Sequence, residues 1–259
     1  ILIFMQTTER INYIKSWILD YCKSMPKQPD SLVVGISGGI DSSVTSTICA
    51  LTGKKTIVLS MPINQIKAQQ DLSIKHQEWL NNKFKNVESH LVNLDNVFQS
   101  FKSSLSKFDN EHGLANSRAR LRMAALYQVA TSNNGIVVGT GNKVEDFGVG
   151  FYTKYGDGGV DISPLADCMK SEVYKMASYL NILQDIQDAP PTDGLWDDSR
   201  TDEDQIGMTY DELEACMVLD KVGAETVWET QKLERYRKIR EQNKHKMVPI
   251  PVCSMEKFK

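Results

Sequence analysis

Cysteine is scarce and scattered. The 259 residues hold five, Cys22, Cys49, Cys168, Cys216 and Cys253, an odd number with no Cys-x-x-Cys pair. That spacing gives neither a zinc site nor a disulfide framework and fits a reducing cytoplasm. Long apolar runs are missing as well. Nothing approaches the ~20 residues of a membrane helix, and the apolar start, Ile1 to Met5, is too short for a signal-peptide core. There is no basic excess: 30 Lys and Arg against 33 Asp and Glu leave a formal net charge of −3, which argues against a nucleic-acid partner. No Pro/Gly/Ser-rich linker divides the chain, so a single domain over 1–259 is expected. The fractions of apolar (41%) and charged (24%) residues are those of a globular protein.

The most informative stretch is Ser37-Gly38-Gly39-Ile40-Asp41-Ser42-Ser43. It follows an apolar run, Leu32 to Ile36, that reads as a buried strand, and it leads into Val44 to Leu51, which can continue as a helix. A strand, a Gly-rich turn and a helix start form an anion site. The glycines let backbone N–H groups point inward, and the helix start adds its orphan N–H groups and positive dipole end. The hydroxyls of Ser37, Ser42 and Ser43 can add donors. Asp41 is the odd member, because a carboxylate beside a phosphate cradle is repulsive unless a divalent cation lies between them; that points to Mg²⁺ with a polyphosphate. The Gly-Lys-Ser/Thr ending of the Walker A loop is absent. The plain alternative is an ordinary Gly turn between strand and helix.

Apolar periodicity predicts a helix through Ile11, Ile14, Ile18 and Cys22, then strands at Leu32–Ile36, Thr56–Leu59, Ser89–Asn93 and Ile136–Gly139. Helices are expected near 67–82, after a cap at Asp95, over 114–132, and in the second half at 170–180, 210–219 and 224–243. Alternating strands and helices imply an α/β fold: a doubly wound, mostly parallel sheet with helices on both faces, its ligands at the carboxyl ends of the strands. Two loops leave strand ends in this reading, Ser37 to Ser43 and Thr140 to Glu145. Asp193 to Gly207 carries Asp193, Asp197, Asp198, Asp202, Glu203 and Asp204 against one Arg200, without periodicity. It reads either as a solvated loop or as a mobile lid over the nucleotide.

Ser-Gly-Gly-x-Asp-Ser resembles the pyrophosphate loop of the ATP pyrophosphatase superfamily, whose fold is adenine nucleotide alpha hydrolase-like. Thr153-Lys154-Tyr155-Gly156-Asp157-Gly158-Gly159, with Gly139-Thr140 before it and Asp161-Ile162-Ser163-Pro164-Leu165 after it, narrows the likeness to NAD synthetase. The likeness runs in order through Pro190-Pro191-Thr192 to His245-Lys246 and so covers most of the chain.

The resemblance implies a cytoplasmic homodimer that joins ammonia to deamido-NAD at the expense of ATP. It implies ATP contacts at Gly35, Ile36, Ser37, Gly38, Gly39, Ile40, Asp41, Ser42, Thr140, Lys170 and Thr192. Mg²⁺ would lie on Asp41 and Glu145, and deamido-NAD on Arg120, Lys154, Asp161, His245 and Lys246. The segment between Glu145 and the Lys-Tyr-Gly-Asp-Gly-Gly run is about one residue longer than in the enteric-type enzymes, and Gly141-Asn142-Lys143 replaces their Asp-His pair. Plain alternatives exist for several of these residues. Arg120, His245 and Lys246 lie in charged helical runs that suit a solvated face. Glu145 could be an ordinary surface acid, and Lys170 could be merely exposed at a helix start.

The chemistry follows from the substrate. A carboxylate is a poor electrophile, so it must first attack the α-phosphorus of ATP, giving an acyl-adenylate and pyrophosphate; ammonia then displaces AMP. No nucleophilic Ser or Cys is needed, and catalysis is positioning plus charge neutralisation, with Lys170 among the groups that offset charge on pyrophosphate. Asp157, a lone acid in a Gly-rich turn, is the candidate for holding ammonium and taking its proton. No cysteine motif of a glutaminase domain is present, so free ammonia is the expected nitrogen source. The rivals are another ATP pyrophosphatase, such as a GMP-making or tRNA-thiolating enzyme, and a non-catalytic nucleotide sensor. Helix 114–132 could bury Leu114, Leu121, Ala124, Ala125 and Tyr127 at a dimer interface or inside the monomer.

Overall fold

The computed structural model describes residues 2–196, 198 and 200–256, with side chains from residue 6 onward. Asp197 of the acidic segment lies outside them.

Helix α1 (Leu2–Ser24) leads into β1 (Ser31–Gly35), α2 (Ile40–Leu51), β2 (Lys55–Ser60), α3 (Lys67–Lys83) and β3 (Val87–Leu91). Then come α4 (Asp95–Ser104), α5 (Glu111–Ser132) and β4 (Gly135–Val137). The strands pair in parallel in the order β3-β2-β1-β4, with Val33 in register with Ile57 on one side and Val137 on the other. A single parallel bridge, Val138 to Ile162, extends the β4 edge.

β1 is apolar throughout because both of its faces are covered. Leu32 and Val34 face one core with Ile14 and Ile18 of α1 and Val44 and Ile48 of α2. Val33 faces the opposite core with Phe98 of α4 and Met123, Leu126 and Ala130 of α5. Neighbouring residues of a strand point to opposite faces, so the run Leu32-Val33-Val34 alone requires helices on both sides. The crossovers β1-α2-β2 and β2-α3-β3 wind to one edge, whereas α5 returns the chain to the other side of β1. The direction of winding therefore switches between β1 and β4, and the crevice at that point is where open α/β sheets hold ligands.

The second half adds α6 (Lys170–Tyr179), α7 (Gln184–Asp188), α8 (Asp202–Ile206), α9 (Tyr210–Val222) and α10 (Val227–Met247). Val173 and Met176 of α6 join the core of α1 and α2. Leu213 and Met217 of α9 pack with Leu233 and Tyr236 of α10 around Val144 and Val149. Among the described residues, no helix is long and apolar enough to cross a membrane.

Four expectations need correcting. The third strand lies two residues earlier than its hydrophobic signal suggests. Asp95 does not cap its helix, because its Oδ1 accepts the amide of Asn64 at 2.6 Å instead. The segment after Thr140 contains a π-helical turn, Val144–Val149, rather than a plain loop. The acidic segment holds a short helix, α8, capped by Thr201, whose Oγ1 accepts the amide of Asp204 at 3.1 Å. In α5, Leu114, Leu121, Ala125 and Tyr127 pack against the monomer's own core, while Ala124 is exposed.

Candidate active site

A cleft opens at the switch point between β1 and β4. Its walls include Gly35 to Ser42, Thr140, Glu145, Asp157, Lys170 and Thr192.

The loop after β1 is shaped by its own hydroxyls. Ser37 Oγ accepts the amide of Gly39 at 3.1 Å, and Ser42 Oγ and Ser43 Oγ both donate to the carbonyl of Gly39, at 3.0 and 2.9 Å. Ser43 is fully buried behind the helix, so it builds the loop rather than facing the cleft. Ile40, Asp41 and Ser42 are the first three residues of α2, and their amides have no intrahelical acceptor. Gly38 sits at φ +90°, and a Cβ there would lie 2.6 Å from the carbonyl oxygen of Gln69, so only glycine lets the loop pass α3.

Lys170, the first residue of α6, reaches across the cleft floor. Its Nζ lies 2.5 Å from Asp41 Oδ2 and 3.0 Å from Glu145 Oε1, with the side chain only 3% exposed. Asn142 Nδ2 donates to the other oxygen of Asp41 at 3.1 Å, while its Oδ1 accepts the amides of Val144 and Glu145. Tyr210 donates to Glu145 Oε1 at 2.5 Å and lies 3.2 Å from Asp202 Oδ2.

Burial acts against the charge on Lys170, but the two carboxylates win and hold it protonated. Burial also pushes the Glu145 carboxyl up, yet Lys170 and Tyr210 outweigh it and keep Glu145 below the usual range. Asp41 is raised, chiefly by burial and with help from Glu145, against the pull of Lys170. Burial, reinforced by Glu145, pushes both Asp146 and Asp202 up to about 8. Carboxylates outnumber cations here, which is the condition for drawing in a further cation with a polyphosphate.

Asp41 and Glu145 converge on one small cation, here an ammonium. Among the described residues no cluster of three or more His, Cys, Asp or Glu could hold a metal ion. Two carboxylates completed by phosphate oxygens and water are the usual protein share of an Mg²⁺ site, so the residues fit that ion.

Asp157 faces water within the cleft, yet the protein mass around it, with Asp193 and Glu145 nearby, pushes its carboxyl up to about 6; burial is the largest cause. Its Oδ1 accepts the amide of Thr153 at 3.0 Å. Gly156 lets the run pack on α5, because a Cβ there would lie 2.8 Å from that of Ala119. Thr192 Oγ1 donates to the carbonyl of Arg200 at 3.2 Å, and Arg118 Nη1 donates to the carbonyl of Leu195 at 2.6 Å. Those bonds hold the acidic segment against the cleft.

The remaining sequence-predicted residues, Arg120, Lys154, Asp161, His245 and Lys246, are not among those that line the cleft. Arg120 Nε donates to the carbonyl of Lys154 at 3.2 Å, Lys154 Nζ to that of His245 at 3.4 Å, and Lys246 Nζ to that of Tyr152 at 2.9 Å. These bonds set Arg120, Lys154 and Lys246 beside the cleft mouth, where their chain neighbours Ala119 and Phe151 line the wall, and bring the end of α10 with His245 up to them. Asp161 stands apart from them: its oxygens take the amide of Val137 at 2.7 Å and the hydroxyl of Tyr127 at 3.1 Å, tying the Gly-rich segment to β4.

A family model described as NAD synthase matches residues 10–249. The chain belongs to that family. A relative from Archaeoglobus fulgidus, named NH(3)-dependent NAD(+) synthetase, is 33% identical over 91% of this chain and 94% of its own length. One of the same name from Thermoplasma acidophilum is 37% identical over 84% and 86%. Among solved structures, NMN synthetase from Francisella tularensis superposes with a TM-score of 0.86 at 31% identity, covering 96% of this chain and 99% of that one. NH3-dependent NAD synthetase from Campylobacter jejuni gives 0.77 at 24% over the same shares and supports the fold.

Several residues in or directly behind the cleft of this NAD synthase family member escaped the sequence reading. Asn142, Asp146, Tyr210 and Arg122 carry no local signal of a site, because their place depends on which elements the fold brings together, and Asp202 reads only as one acid of the segment after Thr192. Asn142 and Asp146 flank Glu145, and that adjacency was the only available hint.

Proposed function

We propose that this chain, acting as a single domain, adenylates the nicotinate carboxylate of deamido-NAD with ATP and amidates it with ammonia, releasing NAD, AMP and pyrophosphate. The observation that carries the reading is the convergence of the helix-start loop, Asp41, Glu145 and Lys170 on one cleft, in a member of the NAD synthase family.

ATP would lie on Gly35 to Ser42, Thr140, Lys170 and Thr192, its phosphates on the unspent amides of α2. Asp41 and Glu145 would hold Mg²⁺, which when bound supplies charge neutralisation for the departing pyrophosphate. The carboxylate oxygen of the nicotinate attacks the α-phosphorus, and the bond to the β-phosphate breaks. Lys170, which already bridges Asp41 and Glu145 at the cleft floor, would offset charge on the leaving group. Ammonia then attacks the acyl carbon, AMP leaves, and Asp157 takes the proton. Arg120, Lys154, His245 and Lys246 at the cleft mouth would take the phosphates of deamido-NAD. The corresponding role of Asp161 rests on the family resemblance. The reading includes a homodimer, checked by light scattering.

A second reading has its own observation. The neighbour named NMN synthetase shares 31% identity over 96% of this chain. The same adenylation and amidation applied to nicotinate mononucleotide would give NMN, and a basic mouth suits one phosphate as well as two.

The deciding experiment runs deamido-NAD and nicotinate mononucleotide in parallel with ATP, Mg²⁺ and ammonium, reading amide product and AMP. NAD with one AMP per turnover, lost in Asp41→Ala, supports the first reading. A higher kcat/KM for the mononucleotide supports the second. No turnover of either, with ATP still bound, would leave another adenylating enzyme or a nucleotide sensor.

A further inference from the structure

The basic run of α5 places two arginines on opposite sides of the helix, since a two-residue step turns about 200°. Arg120 points outward and is exposed. Arg122 lines the cleft. Its Nε donates to the carbonyl of Met61, just past β2, at 3.0 Å. That bond pins the plane of the guanidinium at the carboxyl end of the sheet. Its Nη2 is buried and has no hydrogen-bond partner. The carboxylates that act on it through space are those of Asp193, Asp157 and Asp95.

Two cationic side chains line the cleft among the described residues, Lys170 and Arg122. Lys170 is spent on Asp41 and Glu145. Arg122 keeps an unspent donor. A buried guanidinium N–H without an acceptor is costly, and native structures generally give such groups a partner. A guanidinium edge matches two oxygens of a carboxylate or phosphate, a geometry an ammonium cannot reproduce. The proposed reaction must also bring two anions, a carboxylate and an α-phosphate, into contact, which requires a cation beside them.

We propose that Arg122 is an oxyanion anchor of the cleft, held by Met61 and presenting its free edge to an oxygen of the nucleotide phosphates or of the acid substrate's carboxylate. The inference rests on reading the cleft as the site of ATP and a nicotinate acid. Its ligand chemistry differs from that of the basic mouth because it acts inside, beside Asp157, where the reacting groups meet.

The test compares wild type with Arg122→Gln and Arg122→Lys, titrating four probes by calorimetry: Mg-ATP, adenosine, deamido-NAD and its amide product NAD. Loss of one charge-assisted hydrogen bond predicts affinity weaker by about ten- to hundredfold for the anion that Arg122 holds. Weakened Mg-ATP with unchanged adenosine identifies a phosphate. Weakened deamido-NAD with unchanged NAD identifies the carboxylate. Arg122→Lys keeps the charge but not the fork and should recover only part of the loss; it also serves if the glutamine variant folds poorly. Unchanged affinity for both anions overturns the proposal, and so does an equal loss for adenosine and NAD, which would mark a purely structural arginine. If wild type turned over no nicotinate acid, the functional reading would fall, while the ATP and adenosine titrations would still decide whether Arg122 holds phosphate.

Discussion

Replacing Lys170 by methionine leaves Asp41 and Glu145 facing each other with no cation between them. The lysine Nζ sits 2.5 and 3.0 Å from their oxygens and is almost wholly buried. Removing one partner from such a buried arrangement costs about 3–5 kcal/mol, a large part of the ~5–15 kcal/mol that holds a domain folded. At roughly 2–4 °C per kcal/mol for a chain of this size, the melting temperature should fall by about 10 °C. The deficit should depend on pH. Without the lysine, burial and mutual repulsion raise the folded-state pKa values of both carboxylates above their unfolded values. Their contribution is then favourable at low pH and is lost as pH rises through the folded pKa, so the variant should recover relative to wild type toward pH 4. It should also recover with Mg²⁺ alone, because a divalent cation can take the place of the ammonium. Thermal unfolding at several pH values, with and without Mg²⁺ and without nucleotide, reads all three effects. A variant that melted within about 2 °C of wild type, less than 1 kcal/mol of change, and ignored Mg²⁺, would refute the view that Lys170 neutralises the carboxylate pair.

Two further predictions concern titrating groups. His76 is wholly enclosed, its Nε2 3.0 Å from Ser46 Oγ, and burial lowers its pKa from 6.5 to about 4. Its neutral form contributes stability that is fully present above pH 6.5 and is lost as pH falls toward 4. That loss amounts to about 3 kcal/mol at most, so urea melts at pH 4.5 and 7 should differ less in His76→Phe than in wild type. Asp157→Asn keeps the oxygen that accepts the Thr153 amide, so it should fold normally, yet kcat/KM for ammonium should fall. In wild type that parameter should decline as pH drops below the Asp157 value of about 6; full activity of the variant at limiting ammonium would remove Asp157 from the proton path.

Much of the fold was legible in order and type. Alternating apolar runs and helical periodicities place β1, β2, β4 and most helices, because buried strands and amphipathic helices carry their signal locally. The third strand slipped because β3 is half exposed and reads Val-Glu-Ser-His-Leu, with little to distinguish it from its flanks. The π-helical turn that carries Glu145 was invisible because one extra residue in a helix changes hydrogen bonding without changing composition. The order in the acidic segment came from Thr201 and Asp204, an ordinary capping pair at a place with no apolar period to announce a helix.

The Gly-rich loop after β1 is a property of the sequence by itself. Apolar strand, two glycines, hydroxyls and helix start lie within a dozen residues, and each acts on its immediate neighbours. The electrostatics of the cleft are a property of the tertiary structure. Lys170 meets Asp41 across a separation of 129 positions, and Tyr210, Asp202 and Arg122 arrive from three different helices. A side chain's charge state and reach depend on everything packed around it, and only the folded chain brings those groups within a few ångströms, where desolvation makes each charge count.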